Sequence, residues 1–416
     1  MNRRDLVLQL GSMAALAVSG APTAFAAGED IVIGAIYPMS GPSAQAGVDA
    51  KHAMETAQQI INEVQKIDLP GAENAGIKSL GGRRIRLVFA DHQVDPQKGR
   101  AEAERLITQE KAVAIVGAFH SSVSATVSTV CERYGVPYLC ADSTSPSLHR
   151  RNLKFFFRPS PHDEMFSEAM FDFLDHQRKQ GKSIQTIALF YEDTIFGTDS
   201  SNIQRKLAGQ RGYKVVADIK YRANSPSLSA EVQQLKSANP DVLMPSCYTT
   251  DAMLLTNAST QLGYKPRSIV AQAAGYVEKS VLDAVGDRLQ GMITRAAFAL
   301  DTAGRRPSIG LVNQMFKERS GRDLNDQTSR EFMGLIVLAD AIERAGSLEG
   351  EKLRAALAAT DIPGERTIMP WSRVKFDASG QNTFADVVLQ QYRGKDFVSI
   401  FPTAVAMGQA VWPMNG

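Results

Sequence analysis

Apolar and polar positions along the chain switch repeatedly between the period of a strand and the period of a helix. Short β-branched runs, which predict strands, are followed by stretches with apolar residues three and four positions apart, which predict helices. In the first part of the chain the predicted strands are residues 31–37, 85–90, 112–118 and 137–141, and the predicted helices are residues 47–64 and 121–134. Asp95 and Pro96 fit the start of a further helix, with the aspartate as its cap. This alternation predicts a parallel sheet with helices on both faces.

The same pattern restarts after residues 155–161, where an apolar run is followed by two prolines. The second series has predicted strands at residues 186–191, 214–219, 241–245 and 269–272, and predicted helices at residues 196–210, 229–237 and 251–262. Helices at residues 309–319 and 329–345 and strands at residues 385–392 and 397–401 follow. The chain therefore predicts two α/β units of similar size, without a short tandem repeat.

The first 27 residues have the pattern of an export signal. Arg3 and Arg4 precede an apolar run at residues 6–18, and the Ala-Phe-Ala-Ala sequence of residues 24–27 fits a small-x-small cleavage site. The run of about 13 residues is too short to span a bilayer. The arginine pair resembles a twin-arginine signal, and a general secretory signal or a buried N-terminal helix are the alternatives. We expect an exported, soluble mature protein of about 390 residues, long enough for two domains.

Composition sets few further limits. Hydrophobic residues make up 44% of the chain, which is ordinary for a globular protein, and the formal net charge is only +2. A charge so close to zero excludes the basic footprint of a nucleic-acid binder. Cys131, Cys140 and Cys247 allow one disulfide with one thiol left over, or three inert buried thiols. We favour buried thiols, because Cys131 is predicted on a helix and Cys140 in a buried strand.

Local signatures of catalysis, nucleotide binding and metal binding are missing from the sequence. It contains no GxxxxGK[ST] loop, no GxGxxG after a strand, no HExxH and no GxSxG elbow. The six histidines are scattered without metal-ligand spacing. Asp377 and Gly380 lie in a predicted turn, which offers one carboxylate where a calcium loop needs several. The sequence thus predicts no enzyme, no cofactor and no metal site, and an exported hydrolase is the less favoured alternative.

Short motifs that follow successive strands carry a family resemblance. They are Pro38-Met39-Ser40-Gly41-Pro42, Asp95-Pro96-Gln97-Lys98, Val116-Gly117-Ala118-Phe119-His120-Ser121-Ser122, Tyr191-Glu192-Asp193 with Phe196-Gly197, and Phe376-Asp377-Ala378-Ser379-Gly380. In this order and spacing they resemble the leucine/isoleucine/valine-binding protein family, the periplasmic substrate-binding components of branched-chain amino acid type ABC importers. The resemblance covers essentially the whole chain after residue 27.

The resemblance implies a type I periplasmic binding protein fold, an α/β fold in which two doubly wound parallel-sheet lobes are joined by a three-crossover hinge. Lobe one would comprise residues 28–160 plus 297–372, and lobe two residues 161–296 plus 373–416. The implied function is a periplasmic solute receptor that closes over a small ligand and delivers it to the membrane permease and ATPase of an importer. We expect a monomer. A ligand-sensing receptor for a membrane signalling protein is the alternative that the same fold serves.

Ser121 and Ser122 are the strongest site candidates from the residues themselves. They follow a predicted strand and begin a helix, at the carboxyl edge of the sheet, where ligands of such folds bind. Helix N-terminal amides favour an anion, and serine hydroxyls add donors without a charge to desolvate. The resemblance implies that Ser121 matches the family serine that holds the ligand carboxylate. The alternative is that Ser121 only caps the helix. His120 stands beside this pair.

The other site candidates come from the resemblance. Asp142, Ser143 and Thr144 follow the next strand, where the family offers a backbone carbonyl and a threonine hydroxyl to the ligand. Tyr248 matches a tyrosine that covers the ligand, and Phe196 stands where another aromatic residue of the family sits. As alternatives, Asp142 is a turn or helix cap, and the two aromatic residues belong to the core.

The segment after the last strand of the second series departs from the family pattern. Family members for branched-chain amino acids place an acid there to hold the ammonium, but this chain has Ala271-Gln272-Ala273-Ala274-Gly275, with Ala273 as the candidate contact. An aromatic residue of the first loop is also replaced, by Ala46. An ammonium without a charged partner in a closed cleft is costly. Either Asp142 takes this role and the ligand is an amino acid, or the ligand is another organic or aromatic acid or an amide.

Overall fold

Two sheets, each covered by helices, organise residues 29–414, which this computed structural model describes; the first is parallel, and the second is mixed because its last two strands pair antiparallel. The export signal predicted at residues 1–27 lies outside the described residues. The strands of the first sheet are β1 (Ile31–Tyr37), β2 (Ile85–Asp91), β3 (Ala114–Gly117), β4 (Tyr138–Cys140) and β5 (Phe156–Phe157). They pair in parallel in the order β2-β1-β3-β4-β5, so the predicted parallel sheet is confirmed.

Three helices connect the first strands. They are α1 (Ala44–Asn62), α2 (Pro96–Thr108) and α3 (Ser121–Tyr134). The predicted cap of α2 is confirmed, since the Asp95 carboxylate accepts the amides of Gln97 at 2.7 Å and Lys98 at 3.3 Å. The predicted start of α3 at Ser121 is also confirmed. α1 begins at Ala44, about one turn earlier than the predicted start at residue 47.

The second sheet consists of two ladders. Its strands are β6 (Thr186–Glu192), β7 (Lys214–Tyr221), β8 (Val242–Ser246), β9 (Val270–Ala271), β10 (Ile293–Ala296), β13 (Val388–Arg393) and β14 (Asp396–Phe401). A separate hairpin is formed by β11 (Asp361–Pro363) and β12 (Arg373–Lys375). One ladder has the order β7-β6-β8 and the other β9-β10-β13-β14. A parallel bridge between Leu243 and Ile269 joins them. β10 is not predicted from the sequence pattern, because its centre is the polar pair Thr294 and Arg295.

Five helices cover the second sheet. They are α4 (Asp163–Lys179), α5 (Ile195–Gln210), α6 (Ser229–Ala238), α7 (Thr249–Gln261) and α8 (Lys279–Val285). The predicted starts and ends of α5, α6 and α7 agree with the structure to within two residues, whereas α4 and α8 are not predicted from the pattern. Among residues 29–414 no helix combines the length and the apolar character needed to cross a bilayer.

The chain then returns to the first sheet through α9 (Pro307–Ser320), α10 (Asp326–Ala345) and α11 (Gly350–Ala358). α10 packs against α1, and all of its predicted core-facing residues are buried: Phe332, Ile336, Leu338, Ala339 and Ile342. We call β1–β5 with α1–α3 and α9–α11 the first unit. The second unit is β6–β10, β13 and β14 with α4–α8. The predicted organisation into two α/β units is thus confirmed.

All three cysteines are buried and free in the described part of the chain. Cys131 lies on α3 and Cys140 in β4, as predicted. Burial raises the pKa of the Cys140 thiol to about 12, so this thiol stays protonated. The interpretation of inert buried thiols is confirmed.

Backbone hydrogen bonds tie together two of the segments that run between the units. Arg158 donates its amide to the carbonyl of Gly380 at 2.7 Å, and its own carbonyl accepts the amide of Asn382 at 2.9 Å. Its fully buried guanidinium donates to the carbonyls of Ser143 at 3.0 Å and Ser145 at 2.9 Å. The segment around Arg158, which passes from the first unit to the second, is therefore fixed both to the segment at residues 380–382 and to the loop after β4.

A buried ion-pair network joins the units beside the segment at residues 297–299. Asp326, at the start of α10, accepts hydrogen bonds from Arg295 of β10 at 2.9 Å and from Arg330 at 2.7 Å. Its second oxygen accepts the amide of Ala297. Arg330 also donates to the backbone carbonyl of Asp142, after β4. One carboxylate thus links the second sheet, α10 and the end of the first sheet.

Replacing Asp326 by alanine should destabilise the protein by about 3–5 kcal/mol, because two guanidinium groups would be left buried without their anion. The free energy of unfolding in urea measures this change. The matched control is Asp340→Ala on the same helix, whose partly exposed pair with Arg344 should contribute less than about 1 kcal/mol. Equal losses for the two variants would contradict a special role for Asp326.

Candidate functional site

The N-termini of α3, α5 and α7 meet where the two units face each other. Ser121 opens α3 directly behind β3, and only 1% of its surface is exposed. Its hydroxyl oxygen has no hydrogen-bond partner among residues 29–414. Because buried hydroxyls are normally paired, this one has a donor and an acceptor position left unused. Ser122, the next residue, is half-buried.

Aromatic rings from both units pack together in front of Ser121. The Tyr248 ring, which precedes α7, lies with its centroid 4.6 Å from that of His120 and 5.6 Å from that of Phe119. Phe196, in the first turn of α5, lies 5.2 Å from Tyr248. The structure therefore brings together the predicted site residues His120, Phe196 and Tyr248. Their faces supply apolar area with little conformational freedom to lose.

Tyr248 also makes a polar contact across the two units. Its hydroxyl lies within hydrogen-bonding reach of the Ser121 backbone amide. Burial, with the nearby carboxylate of Glu192 as the next cause, raises the pKa of Tyr248 well above its ordinary value. The neutral hydroxyl thus lies at the anion-binding end of α3.

His120 is held as a neutral ring. Burial, with a smaller contribution from neighbouring His92, lowers the pKa of His120 well below its ordinary value. One ring nitrogen lies 3.4 Å from the Ser43 hydroxyl, and the other has no partner among the described residues. A neutral imidazole here offers hydrogen bonds without adding charge to the site.

Asp142 belongs to a pair of buried carboxyl groups. One oxygen accepts the amide of Phe119 at 3.0 Å, and the carboxyl of Glu331 lies against Asp142 and also accepts the Tyr37 hydroxyl. Burial raises the pKa of Glu331 well above its ordinary value, and the charge of Asp142 raises it further. Burial also raises the pKa of Asp142, but the contact with Glu331 lowers it, so a proton held by this pair is favoured on Glu331.

The two residues after Asp142 are tied into the surrounding structure. Ser143 shares a hydrogen bond of 2.6 Å with Ser124 and donates to the carbonyl of Phe119 at 3.1 Å. The Thr144 carbonyl accepts the amide of Asp163, the first residue of α4, at 2.8 Å. Ser143 therefore has a demonstrated role in supporting the loop that carries Phe119.

The segment after β9 provides an amide in place of the expected acid. Ala273 is fully buried with a φ of 53°, and Gln272 beside it donates to the Asp163 carboxylate at 2.9 Å. The side-chain amide oxygen of Gln272 accepts a hydrogen bond from the side-chain amide of Gln204 at 3.1 Å. Gln272 and Asp163 thus form a buried polar pair at the base of the site, and Asp163 is a carboxylate that sequence reasoning missed.

Glu278 is a second acid that sequence reasoning missed. It precedes α8 without capping it through its side chain, is 0% exposed, and neither of its carboxylate oxygens has a hydrogen-bond partner among residues 29–414. Burial raises its pKa to about 8, and the next contribution comes from Asp49 on α1 of the first unit. The pKa of Glu278 therefore responds to a carboxylate of the other unit. A glutamate just after the apolar pair Tyr276-Val277 was the available sequence signal.

The family described as periplasmic binding protein matches residues 30–396. The chain belongs to this family. A relative from Brucella suis biovar 1, named Leu/Ile/Val-binding protein homolog 7, is 29% identical over 414 residues, which cover 97% of this chain and 98% of that protein.

Solved structures agree with this membership in fold. A leucine binding protein from Thermotoga maritima superposes with a TM-score of 0.76 at 22% identity, covering 89% of this chain and 97% of that one. A solute binding protein of an ABC transporter from R. palustris, in complex with benzoate, gives 0.75 at 18% identity, covering 89% and 95%. The predicted type I periplasmic binding protein fold and the family resemblance are confirmed.

The pH dependence of stability should reveal the unpaired carboxyl of Glu278. A carboxyl whose pKa is raised on folding stabilises the protein below its unfolded-state pKa of about 4.3, and that contribution is lost as pH rises through about 8. The Glu278→Gln variant should therefore gain stability relative to the wild type between pH 5 and pH 8.5, measured by urea unfolding at each pH. Glu63→Gln, an exposed control, should run parallel to the wild type. If Glu278→Gln also runs parallel, the carboxyl is paired in solution.

Proposed function

We propose that this protein is a periplasmic receptor that binds a small carboxylate-bearing solute between its two units and delivers it to an ABC importer. The observation that carries the proposal is the buried Ser121 hydroxyl at the start of α3, with Tyr248 of the second unit opposite it. Membership of the periplasmic binding protein family supports the receptor role. The names of its relatives are those of binding proteins, which supports a function without a catalytic step.

The two units act as the two lobes of this receptor. We place lobe one at residues 28–160 plus 297–372 and lobe two at residues 161–296 plus 373–416. The pairing of Arg158 with Gly380 and Asn382, and the link from Arg295 to Asp326, support a hinge at these crossings. Short connected segments of this kind allow rigid lobes to close over a ligand.

The ligand carboxylate binds at the start of α3. There it replaces the Tyr248 hydroxyl as the acceptor of the Ser121 amide, and it accepts a second hydrogen bond from the Ser121 hydroxyl. The helix N-terminus favours the negative charge of a carboxylate over the neutral hydroxyl that it replaces. The rings of Phe119, Phe196 and Tyr248 then contact the apolar part of the ligand.

Two carboxyl groups stand ready for an amine on the same ligand. Asp142 lies on the lobe-one side, and Glu278 lies on the lobe-two side with both oxygens unpaired among residues 29–414. An ammonium would ionise Glu278 and supply the charge partner that the buried carboxylate needs. These acids favour an apolar amino acid over a simple organic acid. The leucine binding protein of Thermotoga maritima is a relative in fold whose name matches this ligand class.

Removing the Ser121 hydroxyl should weaken binding of any carboxylate ligand. We expect Ser121→Ala to raise the Kd for leucine by about tenfold, because one hydrogen bond to a charged group is lost. Isothermal titration calorimetry measures the change. Ser128→Ala is the matched control, since this hydroxyl on the same helix donates to the Ser124 carbonyl within α3. Unchanged affinity in Ser121→Ala, or an equal loss in Ser128→Ala, would refute the carboxylate site.

A pair of ligands with the same carbon skeleton tests the amine partner. Leucine carries an ammonium and 4-methylpentanoate does not. Glu278→Gln should weaken leucine binding by about tenfold or more while 4-methylpentanoate binding changes little, because only leucine loses a charge partner. Leucine binding should also release a proton near pH 7, seen as a dependence of the binding enthalpy on the buffer, and this release should vanish in Glu278→Gln. A variant that affects both ligands equally would argue against an ammonium at this position.

A further inference from the structure

A second cavity lies inside the second unit, on the side away from Ser121. It has a volume of about 300 Å³ and is enclosed by the end of α7, the loop at residues 263–266, the turn Gly286–Leu289 and Met414. Its inner wall is apolar and is formed by Leu243, Leu255, Ile269, Leu289 and Met414. This volume reaches the lower end of the range typical of small-molecule pockets.

Two buried tyrosines, Tyr264 and Tyr276, line this apolar cavity. The Tyr276 hydroxyl interacts with the Cys247 thiol, whereas the Tyr264 hydroxyl has no hydrogen-bond partner among residues 29–414. Burial raises the pKa of Tyr264, so its hydroxyl stays protonated and able to donate. A buried donor without an acceptor is costly, and an acceptor group inside the cavity would satisfy it.

The rim of the cavity carries positive charge. Lys265 is exposed and forms no ion pair with any described residue, and Arg288 donates to Asn257 at 2.8 Å and Thr260 at 3.3 Å. Asp287 is the acid on the same rim. With two cations and one acid on the rim and the Tyr264 hydroxyl as a donor in the wall, the cavity favours an anionic oxygen over a cationic group.

We propose that this cavity is a second binding site, for a small molecule with an apolar body and one carboxylate. The apolar body packs against the leucine wall, and the carboxylate accepts the Tyr264 hydroxyl and lies near Lys265. Apolar amino acids and aromatic acids both meet this description. The inference goes beyond the proposed cleft receptor and does not depend on Ser121.

Fluorine NMR with 4-fluorobenzoate as the probe tests this site in the full chain. The experiment is done in the Ser121→Ala background, so that binding in the cleft is weakened and the two sites are read separately. We expect the probe still to bind this variant. Adding Tyr264→Phe should raise the Kd by about fivefold, as expected for one lost hydrogen bond. Tyr221→Phe is the matched control, because this buried tyrosine of the same unit lies outside the cavity wall.

A cavity-filling variant provides the second arm. Leu255→Trp, added to Ser121→Ala, should abolish probe binding while circular dichroism confirms that the chain is folded. If this variant unfolds, the comparison of Tyr264→Phe with Tyr221→Phe decides alone. Probe binding that is unaffected by Tyr264→Phe, or no probe binding at millimolar concentration in the Ser121→Ala background, would overturn the second site. Neither result would bear on the proposed ligand site between the units, which is tested separately by leucine binding to the wild type.

Discussion

The carboxylate of Asp326 is the point on which the arrangement of the two units depends. It pairs with Arg295 at the end of β10 and with Arg330 on its own helix, and all three side chains are buried. A buried charge is tolerated only where its partners are correctly placed, so this network permits few relative positions of the second sheet and α10. Because Arg330 also holds the carbonyl of Asp142, the same constraint positions one wall of the site.

The candidate site combines several carboxyl groups with uncharged polar groups. Asp142, Asp163 and Glu278 contribute the carboxyl groups, and the Ser121 hydroxyl and a His120 ring nitrogen are unpaired among residues 29–414. Such a combination suits the proposed amino acid, which carries both an ammonium and a carboxylate. The aromatic rings of both units then contribute apolar contacts that form only when the units are close.

Local features of the fold could be predicted from the sequence because short-range chemistry decides them. The cap at Asp95, the start of α3 at Ser121 and the core-facing stripe of α10 depend on neighbours three or four residues away. The turn at Asp377 is another case, since its carboxylate accepts the amides of Ser379 and Gln381. Among these positions, Ser121 is also a predicted site residue.

Long-range partnerships could not be predicted in the same way. Nothing near Glu278 in the sequence indicates that it faces Asp49, and nothing near Arg295 indicates that it pairs with Asp326. The absence of an acid at residues 271–275 suggested a site without an amine partner on that side. Glu278 instead interacts with Asp49 of the first unit, and folding of distant segments decides this pairing.

A crystal structure of the protein with leucine bound tests ligand binding between the two units most directly. We expect electron density there, with the ligand carboxylate on the Ser121 amide and hydroxyl and its ammonium within hydrogen-bonding distance of Glu278. A ligand bound elsewhere, or bound there with its carboxylate directed away from the start of α3, would contradict the proposed site.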